Sequence, residues 1–516
     1  MFVIQSGAEE AHGDGTSGAG GNFYGVIKME KDLTKGSVFG NIVRFSLPYL
    51  FSYFLQTLYG MADLFIIGQF EDAAGTAAVS IGSQVMHMIT VMTVGLAMGA
   101  TVEIGQAVGA GNRKRARAAI GNTVTLFAVV GTALTAVLLL CVSPIVSVMS
   151  APAEAVEGTK AYLTVCFAGI PFITAYNIIA AVYRGLGDSK TPMYFIALAC
   201  AANIALDYLF MGVFGMGAAG AALGTTLSQA LSAVISLVAV LRGKSGVVPE
   251  KRDFSPNGAV MRDILKTGVP IALQDGLIQI AFIVITVIAN RRGLTDAAAV
   301  GIVEKIIGFV FLVPSTLLST VSALGAQNIG AKKYDRADKT LGYAVLIAVA
   351  FGIAVSVAMQ FCASAAVGCF QKDAGVVDAG AGYLKGYIWD SIFAGIHFSF
   401  SGWFCACGKS YISFIHNISA IALVRIPGVW LMSERFPDTL FPMGLATACG
   451  SLLSAVICVA AFALILHKRK KPAADMHPKA HDRTRRKKCE QSFLRCMPQL
   501  RRNYFLANFC PLKTPL

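Results

Sequence analysis

Four polar side chains lie within apolar stretches in the first half of this sequence, where they could take part in ion chemistry. They are Asp63, Asn177, Asn203 and Asp207. Asn203 and Asp207 are four residues apart and therefore share one face of a helix. Asp63 and Asp207 lie at a similar depth by residue count, whereas Asn177 lies roughly 10 Å deeper, at about 1.5 Å of helix rise per residue.

A carboxylate in an apolar membrane interior is costly unless it is paired or protonated. Two carboxylates that meet in a dry site raise each other's affinity for a proton. Such a pair can bind H⁺, or a Na⁺ ion whose shell amide oxygens complete. The alternative is that each carboxylate is neutralised locally and serves structure alone. We predict that Asp63 and Asp207 meet and couple to a cation, and we expect no other metal and no cofactor.

The second half contains a more scattered set of intramembrane polar residues that could line a cation or substrate cavity. The set is Gln274, Asp275, Gln279, Glu304 and Asp390. Glu304 and Asp390 could equally be interfacial, and His397, seven residues after Asp390, could be a hydrogen-bonded core histidine. Pro48 and Pro171 remove backbone hydrogen bonds and favour bending of their helices, either as part of the mechanism or as tolerated kinks.

The composition is that of a membrane protein. Of 516 residues, 55% are hydrophobic and 14% are charged, whereas soluble proteins carry about 25% charged residues. A helix crosses a bilayer with about 20 largely apolar residues, and only helices satisfy their own backbone groups over such long runs. We therefore predict an all-α membrane protein with twelve transmembrane helices. The predicted spans are 44–69, 78–108, 118–148, 160–184, 190–212, 218–241, 264–290, 297–326, 339–364, 381–407, 411–433 and 444–467.

One apolar pattern occurs twice, about 221 residues apart. Tyr162-Leu163 recurs as Tyr383-Leu384, and Gln106…Gly109-Ala110 recurs as Gln327…Gly330-Ala331. Each copy holds six predicted spans, which indicates two pseudo-symmetric six-helix bundles. This duplication is typical of transporters whose halves rock against each other. The predicted segments are a disordered leader at 1–30, a first half at 31–241, a cytoplasmic linker at 242–263, a second half at 264–467 and a basic disordered tail at 468–516.

Positive charge is distributed unevenly along the chain. The net charge is +14, and most of the excess lies beyond His467. No aromatic-basic or zinc-binding signature accompanies this tail, so nucleic-acid binding is not expected. Alternate loops hold the other basic residues, including Arg113-Lys114-Arg115 and Arg184 with Lys190. The positive-inside rule then places both termini in the cytoplasm, with Arg291-Arg292 as an exception on the opposite side.

Several short motifs occur in order between residues 31 and 467. They are Phe45-Ser46-Leu47-Pro48, Leu58-Tyr59-Gly60-Met61-Ala62-Asp63, Ile67-Gly68, Gln106…Gly109-Ala110-Gly111-Asn112, Tyr183-Arg184-Gly185-Leu186-Gly187-Asp188…Pro192, Asn203-Ile204-Ala205-Leu206-Asp207 and Gly220-Ala221-Ala222. Through them the chain resembles the multidrug and toxic compound extrusion (MATE) family, and within it the DinF-like bacterial branch. The resemblance implies a twelve-helix antiporter in which Asp63, Asn177, Asn203 and Asp207 match the cation network of the first half.

The chain departs from the family pattern at three places. Gln69 follows Ile67-Gly68, where relatives often carry a basic residue. In span seven, the apolar Ile278 replaces the carboxylate of NorM-like members, which disfavours a NorM-like sodium site in the second half. Cys407-Gly408-Lys409 stands where an Arg-Gly-x-Gly-Asp-like run would be expected, so this loop has lost its likeness.

The predicted function is secondary active efflux of organic cations or drugs by antiport with H⁺ or Na⁺. The expected partners are small amphipathic or cationic substrates and the lipid bilayer, with a monomer in the cell inner (plasma) membrane. One alternative is a flippase for lipid-linked cell-envelope precursors, which would favour a strongly cationic cavity. A membrane-embedded enzyme would need a clustered catalytic set, and no P-loop, HExxH or GxSxG motif is present.

Overall fold

The computed structural model describes residues 31–242, 247 and 249–470, which are almost entirely helical. The predicted leader and nearly all of the predicted basic tail lie outside the described residues. The helices are α1 (Val38–Phe70), α2 (Ala73–Gly109), α3 (Arg113–Leu140), α4 (Val142–Val148), α5 (Val156–Ala168), α6 (Ile170–Gly185), α7 (Lys190–Asp207), α8 (Gly217–Arg242), α9 (Gly258–Asn290), α10 (Leu294–Val310), α11 (Leu312–Gly330), α12 (Tyr334–Gly368), α13 (Ala374–Tyr387), α14 (Asp390–Ala406), α15 (Tyr411–Ala420), α16 (Ile426–Arg435) and α17 (Phe441–Lys470).

Widened, π-helical turns interrupt two of the spans. One (Tyr208–Val213) directly follows α7, and the other (Ile421–Arg425) joins α15 to α16. Residues up to Val459 form one compact unit. A second unit begins at Ala460, and its described residues continue the helix α17.

The predicted all-α membrane architecture is confirmed. Ten helical spans of the described chain are long and apolar enough to cross a membrane, and α5 with α6, bent by 47°, makes an eleventh. The predicted span 381–407 is also helical, as α13 and α14, although it is not among these eleven. The reason is the break at Ile388 and Trp389, which leaves helices of 14 and 17 residues, each shorter than the roughly 20 residues that a span needs.

Side-chain caps fix where several helices begin. Ser37 accepts a hydrogen bond from the Gly40 amide at the start of α1, and Asp72 accepts one from the Gly75 amide at the start of α2. Asn112 caps α3 in the same way. Polar N-caps satisfy amides that would otherwise be unbonded at the membrane surface.

The sequence duplication extends to the backbone. Left-handed φ angles occur at Gly187 (+88°) and Gly408 (+67°), which lie at equivalent positions in the two copies. Gly111 (+68°) and Lys332 (+58°) form a second equivalent pair. Because a non-glycine residue rarely adopts this conformation, the retained geometry at Lys332 indicates that the loop shape itself is shared by both halves.

Candidate functional site

The structure brings Asp63 of α1 and Asp207 of α7 together. Their carboxyl groups lie side by side, with Asn203 next to them. Both are fully enclosed, with 2% of Asp63 and 0% of Asp207 exposed. The Thr225 hydroxyl donates to Oδ2 of Asp63 (3.1 Å) and accepts from Nδ2 of Asn203 (3.5 Å). Three helices therefore converge on one acidic cluster.

This acidic cluster is rich in acceptors and poor in donors. Oδ1 of Asp63, both carboxyl oxygens of Asp207 and Oδ1 of Asn203 are buried and meet no donor among the described residues. A buried acceptor without a donor is costly, and two ionised carboxylates in contact repel each other. A shared proton would relieve both problems, as would a small cation held by these oxygens. The arrangement suits reversible cation uptake.

Two residues of the cluster, Thr225 and Gly224, were not anticipated from the sequence. Gly224 lets α8 approach Asp207 closely, because a Cβ atom at this position would overlap Oδ1 of that carboxyl group. The signal available in the sequence was the Gly220…Gly224 spacing, which allows close helix contact. Such a spacing indicates close packing alone, because it does not reveal which helix comes close.

Asn177 lies outside the acidic cluster of Asp63 and Asp207. Its amide donates to the backbone oxygen of Ile173 one turn earlier (2.9 Å), and its side chain lines a cavity with Tyr49, Tyr53 and Arg184. No contact of Asn177 with the acidic cluster appears among the described residues. The depth difference expected from residue counting agrees with this separation. A role for Asn177 in cation coupling stays a prediction.

Asp390, a candidate cavity residue of the second half, forms a buried ion pair. Arg425 donates to Oδ2 of Asp390 (2.7 Å) and to the hydroxyl of Ser451 (3.2 Å). Arg425 ends the π-helical turn, a feature that often marks functional sites. The partner for Asp390 is thus an arginine 35 residues later. His397 lines the cavity beside Arg425, with a buried Nδ1 that meets no partner in the described structure.

The other candidates of the second half are dispersed. Glu304 accepts a hydrogen bond from the Thr286 hydroxyl (3.3 Å). Asp275 packs against Gly95 of α2, at the contact between the two halves. Gln274 is completely buried and neither atom of its amide is hydrogen-bonded within the described chain, whereas Gln279 is half-buried. These side chains therefore occupy several environments rather than one site.

The two predicted bending prolines lie in different settings. Pro171 is in the first turn of α6, directly after the 47° bend between α5 and α6. Pro48 lies inside α1, which continues as one helix from Val38 to Phe70. The hydroxyl of Ser52 donates to the backbone oxygen of Pro48 (2.9 Å). Whether either proline couples helix bending to ion binding stays a prediction.

The two halves meet along a seam formed by α2, α9 and α11. Gly109 of α2 packs on the Gln327 backbone and Gly330 of α11 packs on the Gln106 backbone, so tightly that a Cβ atom would overlap the carbonyl oxygen in each case. The Gln106 amide donates to the oxygen of Ala406 (2.7 Å). The Gln327 amide donates to the oxygen of Gly185 (3.0 Å).

These seam contacts obey the internal repeat, because residues 106 and 185 are each 221 positions before residues 327 and 406. Equivalent glutamines of the two halves therefore donate to equivalent backbone oxygens of the opposite half. Arg115 adds an ionic contact, with Glu103 on one side (2.7 Å) and Asp263 at the start of α9 on the other (3.0 Å). The seam closes the protein at the end that contains the basic loop after α2.

The segment before α1 also spans the seam. The backbone amide of Leu33 donates to Oε1 of Gln327 in the second half (3.0 Å), and the amide of Lys31 donates to the oxygen of Leu186 in the first half (2.9 Å). Lys333 donates to the oxygen of Thr34 (2.9 Å). This segment therefore holds both halves together at the closed end.

Two repeated helical halves that meet at one end and bury an acidic pair are typical of membrane transporters. The MatE family model matches residues 48–209 and again residues 270–431. The chain therefore belongs to the MATE family of transporters. The family model thus matches both copies of the internal repeat. Membership of the DinF-like branch stays a prediction.

Curated relatives and solved structures agree with this family. The probable multidrug resistance protein YpnP of Bacillus subtilis (strain 168) is 27% identical over 78% of this chain and 90% of its own length. The multidrug export protein MepA of Staphylococcus aureus (strain NCTC 8325 / PS 47) is 26% identical over 84% of this chain and 94% of its own. A multidrug resistance MATE family transporter of the MOP superfamily, solved in an outward-facing conformation, shares the fold with a TM-score of 0.80, at 23% identity over 85% and 98% of the two chains.

Proposed function

We propose that this protein exports small amphipathic or cationic compounds by antiport with H⁺ or Na⁺ bound between Asp63 and Asp207. The observation that carries the proposal is the acidic cluster of the first half, in which four buried oxygens meet no donor among the described residues. Among the relatives, MepA is a multidrug export protein and YpnP a probable multidrug resistance protein.

The coupling would act through the packing of α1, α7 and α8. Without a cation, the carboxyl groups of Asp63 and Asp207 repel each other. Binding of H⁺ or Na⁺ removes this repulsion and draws the three helices together. If substrate favours the separated arrangement, cation uptake lowers the affinity for substrate, and the substrate lowers the affinity for the cation by the same factor.

The seam supports alternating access between the two halves. We propose that its closed end faces the cytoplasm, because the loops at this end contain Arg113, Lys114, Lys332 and Lys333. The conformation is then open to the outside, and both termini lie in the cytoplasm of a cell with the protein in its plasma membrane. The protein would work as a monomer, since each half supplies the other half's seam contacts.

The test is transport of a fluorescent organic cation by inverted vesicles that contain the full-length protein. An imposed proton gradient and an imposed sodium gradient are compared for the wild type, Asp63→Asn and Asp207→Asn. We expect one gradient to drive uptake by the wild type and both variants to lose the driven component, while passive binding of the dye remains. The matched control is Asp378→Asn, which neutralises an exposed carboxylate on α13 and should transport normally.

The proposal is wrong if both variants transport like the wild type under the gradient that drives it. Replacement of Na⁺ by a large organic cation at constant pH, and collapse of the proton gradient at constant Na⁺, distinguish the two coupling ions.

A further inference from the structure

A second charged site, which the proposed coupling does not use, surrounds Arg184 at the end of α6. The charge pattern of the sequence predicts Arg184 in a cytoplasmic loop. Instead it lies in the last turn of α6 and is only 4% exposed. Its Nε and one terminal nitrogen are buried without a hydrogen-bond partner, and no acidic side chain of the described chain lies within ion-pair distance of it.

The nearest carboxylate along the chain is already engaged. Asp188 accepts from the Lys31 ammonium (3.1 Å), from the hydroxyl of Thr191 (2.6 Å) and from the backbone amide of Lys190 (3.0 Å). Arg184 therefore has no counter-charge from its own loop.

A buried guanidinium cannot lose its charge by deprotonation, so its surroundings must supply compensation. Two partial sources exist. The guanidinium carbon lies 5.3 Å from the centre of the Tyr49 ring, a cation–π contact, and the position in the last turn of α6 interacts favourably with the helix dipole. Neither provides an acceptor for the unbonded N–H groups.

The cavity beside Arg184 is built to donate hydrogen bonds. Ser319 of the second half donates to the Tyr49 hydroxyl (3.1 Å), and Tyr49 donates to the Tyr53 hydroxyl (3.1 Å). Because the oxygen of Tyr53 already accepts in this chain, its own hydrogen remains to be donated. Tyr53, Gln56 and Arg184 all line the same narrow cavity, and none of the residues lining it is acidic.

We propose that this cavity binds a small carboxylate or oxyanion, with Arg184 as counter-charge and Tyr53 as a second donor. A guanidinium presents paired N–H groups in the geometry that carboxylates and oxyanions accept. The narrow space admits an anionic group rather than a large molecule. The ligand is either a free inorganic oxyanion or the carboxylate of an amphipathic organic compound, and binding at this site is independent of the coupling ion at Asp63 and Asp207.

The test is equilibrium dialysis of the purified full-length protein in detergent with [¹⁴C]benzoate, at constant ionic strength and with empty micelles as background. We expect one saturable site per chain in the wild type. Arg184→Gln should weaken binding on the order of tenfold to a hundredfold, because a charge-assisted hydrogen-bond pair is lost. Arg184→Lys keeps the charge but not the paired geometry, and should bind with intermediate affinity.

Controls and competitors complete the design. Arg262→Gln removes an exposed arginine of α9 and should bind benzoate like the wild type. If Arg184→Gln does not fold, Tyr53→Phe tests the same cavity and should weaken binding several-fold. Displacement of benzoate by sulfate identifies an inorganic-oxyanion site, whereas displacement by unlabelled carboxylates alone identifies an organic headgroup site. The inference is overturned if the wild type binds no benzoate saturably, or if Arg184→Gln or Tyr53→Phe binds it undiminished.

Discussion

Gly330→Ala tests whether the seam between the halves is a contact that must open and close. Gly330 ends α11 and packs directly on the backbone of α2, where a new Cβ atom would lie 2.8 Å from the carbonyl carbon and 2.9 Å from the Cα of Gln106, and would overlap its oxygen. Ordinary contact begins near 3.4 Å. All three atoms are backbone, so no side-chain rotation can relieve the overlap.

The two helices must therefore move apart by about 1 Å at this point to restore ordinary van der Waals distances. Overpacking of this kind costs about 1–3 kcal/mol, and 1.4 kcal/mol changes an equilibrium about tenfold. The closed population should fall by roughly tenfold to a hundredfold relative to the open one. The hydrogen bonds of Gln106 to Ala406 and of Gln327 to Gly185 should weaken together, because each crosses from one half to the other beside this contact.

The measurement is amide hydrogen exchange by mass spectrometry on the full-length protein. Peptides that cover 104–112 and 325–333 should exchange faster in Gly330→Ala than in the wild type by about the same factor, since exchange follows opening. The control is Gly342→Ala on α12, an exposed helical glycine with no atom within 4 Å of the added Cβ. Equal protection at the seam in Gly330→Ala, Gly342→Ala and the wild type would refute the reasoning.

Three further predictions follow from buried contacts. Gly224→Ala should displace the neighbouring buried carboxyl group and abolish gradient-driven transport of a fluorescent cation in inverted vesicles, while the protein remains folded. Arg425→Met should destabilise the protein by about 3–5 kcal/mol, because Asp390 is left buried without its partner, and thermal unfolding in detergent with Asp390→Leu added should recover much of this loss. Arg292→Ala should cost about 2 kcal/mol through lost charge-assisted bonds, whereas the exposed neighbour in Arg291→Ala should change little in the same unfolding assay.

Each of these has an outcome that contradicts it. Normal coupled transport by Gly224→Ala would show that the close approach of α8 is unnecessary. A double variant at 390 and 425 that is as unstable as Arg425→Met would mean that the pair is not the source of the loss. Equal free energies of unfolding for Arg291→Ala and Arg292→Ala would contradict the structural role of Arg292.

The contacts of Arg292 also explain one member of the basic pair Arg291-Arg292, which is an exception to the positive-inside rule. Its guanidinium pairs with Asp296 (2.7 Å) and donates to the backbone oxygens of Ser433 (2.7 Å), Phe436 (3.2 Å) and Pro437 (2.6 Å) at the end of α16. These are carbonyls that a helix end leaves unbonded. The side chain therefore serves helix termination, which topology rules based on loop charge do not consider.

The sequence by itself determined the helical membrane architecture, the duplication and the common depth of Asp63 and Asp207. These depend on hydropathy, on a fixed offset between copies and on the rise per residue, all of which are properties of the chain taken along its length. The repeat also identified Gln106 and Gln327 as equivalent residues. Their role, a hydrogen bond from each half to the backbone of the other, became visible only in the structure.

Only the tertiary structure decided which side chains face one another across the helices. It gave Asp390 a partner in Arg425 and placed Thr225 beside Asp63. It also placed Asn177 in a separate cavity and left Arg184 buried with no acidic partner among the described residues. The physical reason is that apolar spans are interchangeable in lipid, so hydropathy fixes the depth of a residue but not its lateral neighbours. Those neighbours are set by close contacts at small residues, and these contacts exist only once the helices are packed.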